Sequence, residues 1–332
     1  MNFINPQDKI YVAGSGGMVG SALIRLLKKN GFTHENNNLI TIPRNSLDLR
    51  NSDEVKSWFK KNKPTVVIIA AAKVGGIMAN KNYPVEFLLD NLKIQNNLIE
   101  SSYQFSVKRL LFLGSSCIYP KFSPQPIKEK HLLTGSLEKT NQWYAIAKIG
   151  GLKLCQAYKE QYGLDAISIM PTNLYGKNDN YNYDNSHVMA ALIRRFYDAK
   201  MQSKKKVICW GTGSPMREFL YVDDLAEACF FILKNWSAEE KQSPIDNDGE
   251  IINWINVGSE FEISIKDLAN KIADNFNYKG KIVWDEDKPD GTPRKKLDTS
   301  FLDHLGWEAK TNLDIGISNT INFFKEEYYN LN

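Results

Sequence analysis

The 332-residue chain is expected to fold as an α/β protein, a doubly wound parallel sheet with a smaller C-terminal lobe. Three observations point there. Short apolar runs alternate with amphipathic helical stretches as far as Pro171. A glycine-rich turn joins the first run to the first helix, and beyond Pro171 the pattern loosens into polar, turn-rich sequence. Alternation of this kind belongs to parallel sheets covered by helices on both faces.

Taken in order, Lys9–Ala13 reads as a buried strand. Val19, Leu23, Leu26 and Leu27 then recur at helical spacing, and Gly31 supplies a stop. A second strand is expected over Leu39–Ile42 and a helix over Asp53–Lys61. Pro64 precedes "TVVIIAAA", a continuous apolar run typical of a strand covered on both faces. A helix over about 84–104 leads into "LLFLGSSCIYP", where four apolar residues give way to two hydroxyls and a thiol. "NQWYAIAKIGGLKLCQAYKEQYG" is helical in pattern and "AISIMP" strand-like. Residues 176–186, "GKNDNYNYDNS", read as a loop over a site. "VDDLAEACFFIL" and "IINWINVG" return to helix and strand and are expected to rejoin the sheet, while 236–250 reads as a mobile surface loop.

The bulk composition narrows the function. Net charge is only +4, and the basic residues are scattered, which argues against nucleic acid and leaves a local pocket for an acidic small molecule. The four cysteines (Cys117, Cys155, Cys209, Cys229) lie far apart without CxxC or a neighbouring histidine, so no metal site and no disulfide framework is expected. The N-terminus has no signal-peptide pattern, and the longest apolar stretch, Val66–Ala72, is too short to span a bilayer. These features predict a soluble cytoplasmic protein with no membrane partner.

Gly14, Gly17 and Gly20 stand where the first strand hands over to the first helix. There they permit a tight turn, close backbone approach to a pyrophosphate, and tight helix–strand packing, with the helix N-terminus supplying amide donors. A dinucleotide cofactor and a Rossmann-type sheet follow from that context. The second strand ends in Arg44, with no acid before Asp48. A guanidinium there suits a 2′-phosphate and favours NADP, although a plain surface arginine is the competing reading.

Tyr144 and Lys148 are four residues apart on an expected helix and share a face. An ammonium beside a phenol is expected to lower its pKa from about 10 and prepare it for proton transfer at a carbinol oxygen. Ser115 or Ser116, at a strand end, would hydrogen-bond the same oxygen.

The order GxxGxxG, GSS, YxxxK resembles the extended short-chain dehydrogenase/reductase superfamily. "AAAKVGGIMANKNYP", "LFLGSSCIYPK", "YAIAKIGGLKLC", "MPTNLYGKNDN", "NSHV", "WGTGSPMREFLYVDD" and "KPDGTPRKKLD" narrow the resemblance to the GDP-L-fucose synthase family. These enzymes are GDP-4-keto-6-deoxymannose 3,5-epimerase/4-reductases. The resemblance runs from about residue 9 to 325.

It implies a reductive triad of Ser115, Tyr144 and Lys148, with Cys117 and His187 as base and acid at carbons 3 and 5. It implies NADPH contacts at Gly14, Gly17, Gly20, Arg44, Asp48, Leu113, Gly114, Ser116, Lys148, Pro171, Thr172, Asn173, Leu174 and His187. For the GDP-linked keto sugar it implies Arg195, Trp210, Arg217 and Asp290. Residues 1–175, rejoined by about 218–257, would then hold the cofactor, and 176–217 with 258–332 the nucleotide sugar. A homodimer through the helices around 84–104 and 142–162 is a further implication.

Each residue keeps its plainer reading: Cys117 and Trp210 as packing groups, His187 as a surface residue. One departure stands out. Family members often carry an arginine within the glycine turn, where this chain has Gly16. C4 reduction without epimerisation, on a GDP-4-keto-heptose as in bacterial capsule pathways, is the alternative reading. A catalytically silent binding protein, and a dehydratase or epimerase of the same superfamily, are the others weighed.

Overall fold

The structure, a computed structural model, describes residues 3–183, 185–239 and 243–329. Its centre is a six-stranded, all-parallel sheet. The strands are β1 (Ile10–Ala13), β2 (Leu39–Ile40), β3 (Val66–Ile69), β4 (Arg109–Leu113), β5 (Ala166–Pro171) and a late arrival, Trp254–Val257. The order is β2-β1-β3-β4-β5 and then the late strand, so the chain winds outward in both directions from β1 and β3. Every strand of this sheet except β2 is buried along its whole length, which is why β1, β3, β4 and β5 read as largely apolar runs. The second strand stops two residues earlier than expected, because Pro43 and the 44–46 turn follow closely.

Helices cover both faces. They are α1 (Met18–Lys29), α2 (Ser52–Asn62), a short α3 (Ile77–Asn82), α4 (Pro84–Gln104) and α5 (Gln142–Tyr162). Asn51 caps α2 by accepting from the amides of Asp53 (3.1 Å) and Glu54 (3.3 Å). At the far end of α5 Gly163 turns left-handed at φ 70° and stops the helix. Helices α4 and α5 pack side by side, and Gly151 makes this possible: a Cβ there would sit 2.6 Å from the Phe112 ring and 2.7 Å from Gln95.

After β5 the chain leaves the sheet through β6 (Asn173–Tyr175), α6 (Val188–Met201), β7 (Lys206–Trp210) and β8 (Met216–Tyr221). Helix α7 (Val222–Asn235) packs against α1, and β9 (Trp254–Val257) is the late strand. The remainder comprises β10 (Glu262–Ser264), α8 (Ile265–Asn275), β11 (Lys281–Asp285), β12 (Arg294–Lys295), α9 (Ser300–His304) and α10 (Leu313–Tyr329). Strands β10, β8 and β12 form a second sheet, joined by β6 along β8, and β7 pairs with β11. So 218–221 belongs to the second sheet, and only α7 and β9 return to the first. A separate core fills this part, with Phe196, Leu268, Ile272, Ile317 and Phe324 buried together.

Residues 240–242 of the expected mobile loop lie outside the described residues, as does Asp184 of the 176–186 loop. The described start of the former is anchored: Trp236 is fully buried and donates through Nε1 to Ser243 Oγ at 3.2 Å. Among the described residues no helix is long and apolar enough to cross a membrane.

Candidate active site

At the carboxyl end of β1 the glycine turn is built for close approach. Gly14 has φ 85°, and a Cβ on it would lie 2.6 Å from the Ala71 amide nitrogen. A Cβ on Gly20 would collide with the Gly14 carbonyl oxygen, so the first turn of α1 lies directly on the strand end. Gly17 is the N-cap of α1, and no side chain caps the amides of its first turn. This is a cradle that a side chain would fill, and it fits a pyrophosphate at a helix N-terminus. Gly16 faces open space, with nothing within 4 Å of a Cβ.

Arg44 is exposed on the turn after β2. Asp48 is held by Arg50, whose Nε and Nη2 each donate to one carboxylate oxygen at 2.9 Å; these bonds keep the Asp48 carboxyl down at about 2. Thr172 and Asn173 both donate to the Glu218 carbonyl, at 3.2 and 2.7 Å, tying the exit of β5 to β8. Pro171 is the last residue of β5, and Leu174 is half-buried next to Asn173.

At the carboxyl end of β4 the backbone opens into a single 3₁₀ turn, 116–118. Gly114 donates to Ile169 O at 2.9 Å, Leu113 and Ser116 are buried, and the Ser115 hydroxyl accepts from the Cys117 amide at 3.2 Å. Lys148 is 3% exposed, and its Nζ donates to Leu113 O at 2.7 Å. The same Nζ lies 4.7 Å from the Phe112 ring centre and 5.8 Å from that of Tyr144. Burial brings the Lys148 ammonium down to about 7.

Tyr144 departs from expectation. Its phenol is held above its ordinary range, first by burial and then by the neighbouring Cys117, while a Ser115 hydrogen bond pulls the other way. The lysine does not offset this, because burial pushes its own ammonium down to about 7 and so weakens its hold on a charge. Phe87 packs edge-on against the Tyr144 ring, 6.5 Å between centres, adding to the desolvation.

Cys117 is half-buried and has two polar neighbours that sequence reasoning missed. Asn141, the residue before α5, donates to its Sγ at 3.3 Å, and Lys295 of β12 donates at 3.7 Å. Lys295 also acts on His187, whose imidazole is held below its ordinary range by its surroundings first and by the lysine charge second. His187 immediately precedes α6 and is exposed. A lysine in the "PRKKLD" run was visible in the sequence, but only the pairing of β12 with β8 brings it to the cysteine.

The four residues expected at the nucleotide sugar form two contact pairs. Arg195 stacks over Trp210, 4.5 Å from the ring centre, and donates to Ile208 O at 3.2 Å. Arg217 donates to the Asp290 carbonyl at 3.2 Å. The Asp290 carboxylate is already engaged, accepting from the Thr212 amide and hydroxyl, each at 2.8 Å. Among the described residues no group of three or more His, Cys, Asp or Glu is arranged to hold a metal ion.

Residues 10–253 match the model of the NAD dependent epimerase/dehydratase family. GDP-L-fucose synthase 1 of Arabidopsis thaliana is 52% identical over 97% of this chain and 94% of its own length. GDP-L-fucose synthase of Escherichia coli K12 is 46% identical over 96% and 97%. Among solved structures, the GDP-mannoheptose C4 reductase of Campylobacter jejuni with NADP bound superposes with TM-score 0.86 at 34% identity, covering 97% of this chain and 99% of that one. With identity of this extent on both chains, the protein belongs to the NAD dependent epimerase/dehydratase family and, within it, to the GDP-L-fucose synthase family.

Proposed function

We propose that the protein converts GDP-4-keto-6-deoxymannose to GDP-L-fucose, inverting carbons 3 and 5 and then reducing carbon 4 with NADPH. The observation that carries this reading is the convergence at one strand end of two sets of groups. Ser115, Tyr144 and Lys148 are suited to a carbonyl oxygen; Cys117, with Lys295 beside it and the lysine charge also acting on His187, is suited to protons on carbon. The near-full-length identity to GDP-L-fucose synthases supports the substrate class.

In the first stage Cys117 takes the proton from the carbon beside the C4 ketone, and the electron pair of that C–H bond moves into the carbonyl as an enolate. Tyr144 and Ser115 hold the oxygen. The proton returns from the opposite face, where we assign His187. The Lys295 ammonium lies 3.7 Å from the Cys117 sulfur, and its charge, after desolvation, lowers the His187 imidazole, so the protonated form of His187 is scarce at neutral pH and a strong donor to carbon once formed.

In the second stage Tyr144 delivers its proton to the C4 oxygen. A phenol held above its ordinary range is protonated at neutral pH, the form a proton donor requires. When bound, NADPH supplies the hydride to carbon 4. Gly14, Gly17 and Gly20 fit its pyrophosphate, Arg44 its 2′-phosphate, and Leu113, Gly114, Ser116 and 171–174 its nicotinamide end. Residues 1–175 with about 218–257 would carry that part, and 176–217 with 258–332 the GDP-sugar. Arg195 and Arg217 suit the diphosphate, and Trp210 suits the base or sugar.

The outer surface supports a homodimer: Val85, Leu89, Trp143 and Ile146, on α4 and α5, are all exposed. We place the enzyme in the cytoplasm, where free cysteines stay reduced.

The test is incubation with GDP-4-keto-6-deoxymannose and NADPH in deuterated water, followed by NMR of the product. Deuterium at carbons 3 and 5 of an L-galacto sugar is expected. NADPH consumption without deuterium would favour a C4 reductase, the reading suggested by the Campylobacter heptose reductase structure, and would move the search to GDP-4-keto-heptoses.

A further inference from the structure

Two glycines outside the cofactor turn stand where the two halves of the molecule touch. Gly76 donates its amide proton to Asn185 O at 3.0 Å, and a Cβ on Gly76 would run into the Ser186 carbonyl oxygen. The backbone at Gly76 is ordinary, φ −67°, so alanine meets no conformational penalty there. Closeness to 185–186 is what requires glycine. Gly75 is nearly as confined, since its Cβ would lie 2.9 Å from the Ala79 side chain and 3.2 Å from Asn185 O.

The turn that carries these glycines is fixed from beneath. The buried Asn80 donates from Nδ2 to the carbonyls of Gly75 (2.9 Å) and Gly76 (3.1 Å). The buried Asn91 of α4 clamps Lys73, accepting from its amide at 2.8 Å and donating to its carbonyl at 3.0 Å. On the other side of the contact, the residue after Ser186 is His187, and α6 starts at once with Ala191 donating to His187 O at 2.9 Å. The backbone of His187 is therefore held between a docked carbonyl and a helix start.

We infer that the Gly75–Gly76 turn is a positioning device for His187: it presses the 185–186 backbone into one place and thereby sets the imidazole over the site. Proton transfer to carbon depends steeply on such placement, and a misplacement of about 1 Å costs on the order of 100-fold. Hydride transfer uses Ser115, Tyr144 and Lys148, none of which lies against Gly76. The inference rests on the proposed epimerase reading, in which His187 exchanges a proton.

The test is Gly76→Ala, assayed in two partial reactions. Deuterium uptake at carbons 3 and 5 of GDP-4-keto-6-deoxymannose, with NADP⁺ present so that reduction cannot follow, is expected to fall at least tenfold. Oxidation of GDP-L-fucose by NADP⁺, which needs hydride transfer alone, is expected to stay within about threefold of the parent protein. Unchanged exchange, or equal losses in both reactions, overturns the inference. Absence of exchange in the parent protein, with fucose oxidation intact, overturns the epimerase reading instead and the inference with it.

Should Gly76→Ala not fold, Asn80→Ala, which removes both donations beneath the turn, is expected to show the same split to a smaller degree. Hydrogen exchange on the unaltered protein adds an independent check. The Gly76 amide should exchange far more slowly than an open loop amide, and free-loop exchange would overturn the contact.

Discussion

At Tyr144 the phenol must give up a proton during ketone reduction, and its surroundings keep that proton in place until then. Tyr144→Phe removes the donor while leaving the ring packed on Phe87. Reduction is expected to fall by about 10²–10⁴-fold, the usual weight of a positioned general acid, with NADPH affinity by fluorescence titration unchanged. Near-normal turnover would remove Tyr144 from the mechanism. Lys148 offers a second check, through stability. Its pKa is about 7 in the folded protein against 10.5 for a free side chain. Between those values the unfolded chain binds a proton that the folded one does not, so this residue destabilises the fold progressively as pH falls from 10.5 to 7. Lys148→Met lacks that cost. Its melting temperature relative to the parent should therefore be more favourable at pH 7 than at pH 10, and a difference independent of pH would contradict the buried, neutral lysine.

Among the elements, those that bring the cofactor cradle and the tyrosine helix to the sheet were legible in the sequence for a physical reason. Strands β1, β3, β4 and β5 are four to six residues long and buried throughout, and α4 and α5 are 21-residue helices, so their patterns are long enough to read. Strands β2, β6, β10 and β12 have two or three residues each, too few for any periodicity. Lys295 sits on one of these and was missed as a neighbour of Cys117, because its place depends on pairing with Arg217 far away in sequence. The Gly76–Asn185 contact is equally non-local, and nothing near either residue in sequence announces it.

The glycine turn makes a prediction at this same scale. Gly16 has open space around it, whereas Gly20 lies against the Gly14 backbone. Gly16→Arg should be accepted without loss of melting temperature and, by adding a guanidinium near the expected 2′-phosphate, lower the KM for NADPH several-fold while leaving that for NADH unchanged. An equal effect on both cofactors would place the 2′-phosphate elsewhere.

At the scale of the whole molecule, the outer face of α4 and α5 gathers several exposed apolar side chains. Leu89 and Ile146 are 44% and 41% exposed, Trp143 is 38% exposed, and Tyr103 stacks on Tyr162 at 4.5 Å near the far end of the same helix pair. The two helices lie side by side through Gly150 and Gly151, so together they present a broad face on which a second copy can lay the same pair across a two-fold axis. Helix α5 also carries Tyr144 and Lys148 on its inner face, so covering its outer face would stiffen the segment that aims the phenol. Leu89→Glu combined with Ile146→Glu places like charges at the proposed axis. Sedimentation should then give the 37.9 kDa chain mass, against twice that for the parent. Turnover should drop with dissociation and recover as protein concentration is raised. A parent protein that sediments at the single-chain mass would leave this apolar face without a second copy to cover it, and would detach the stiffness of α5 from assembly.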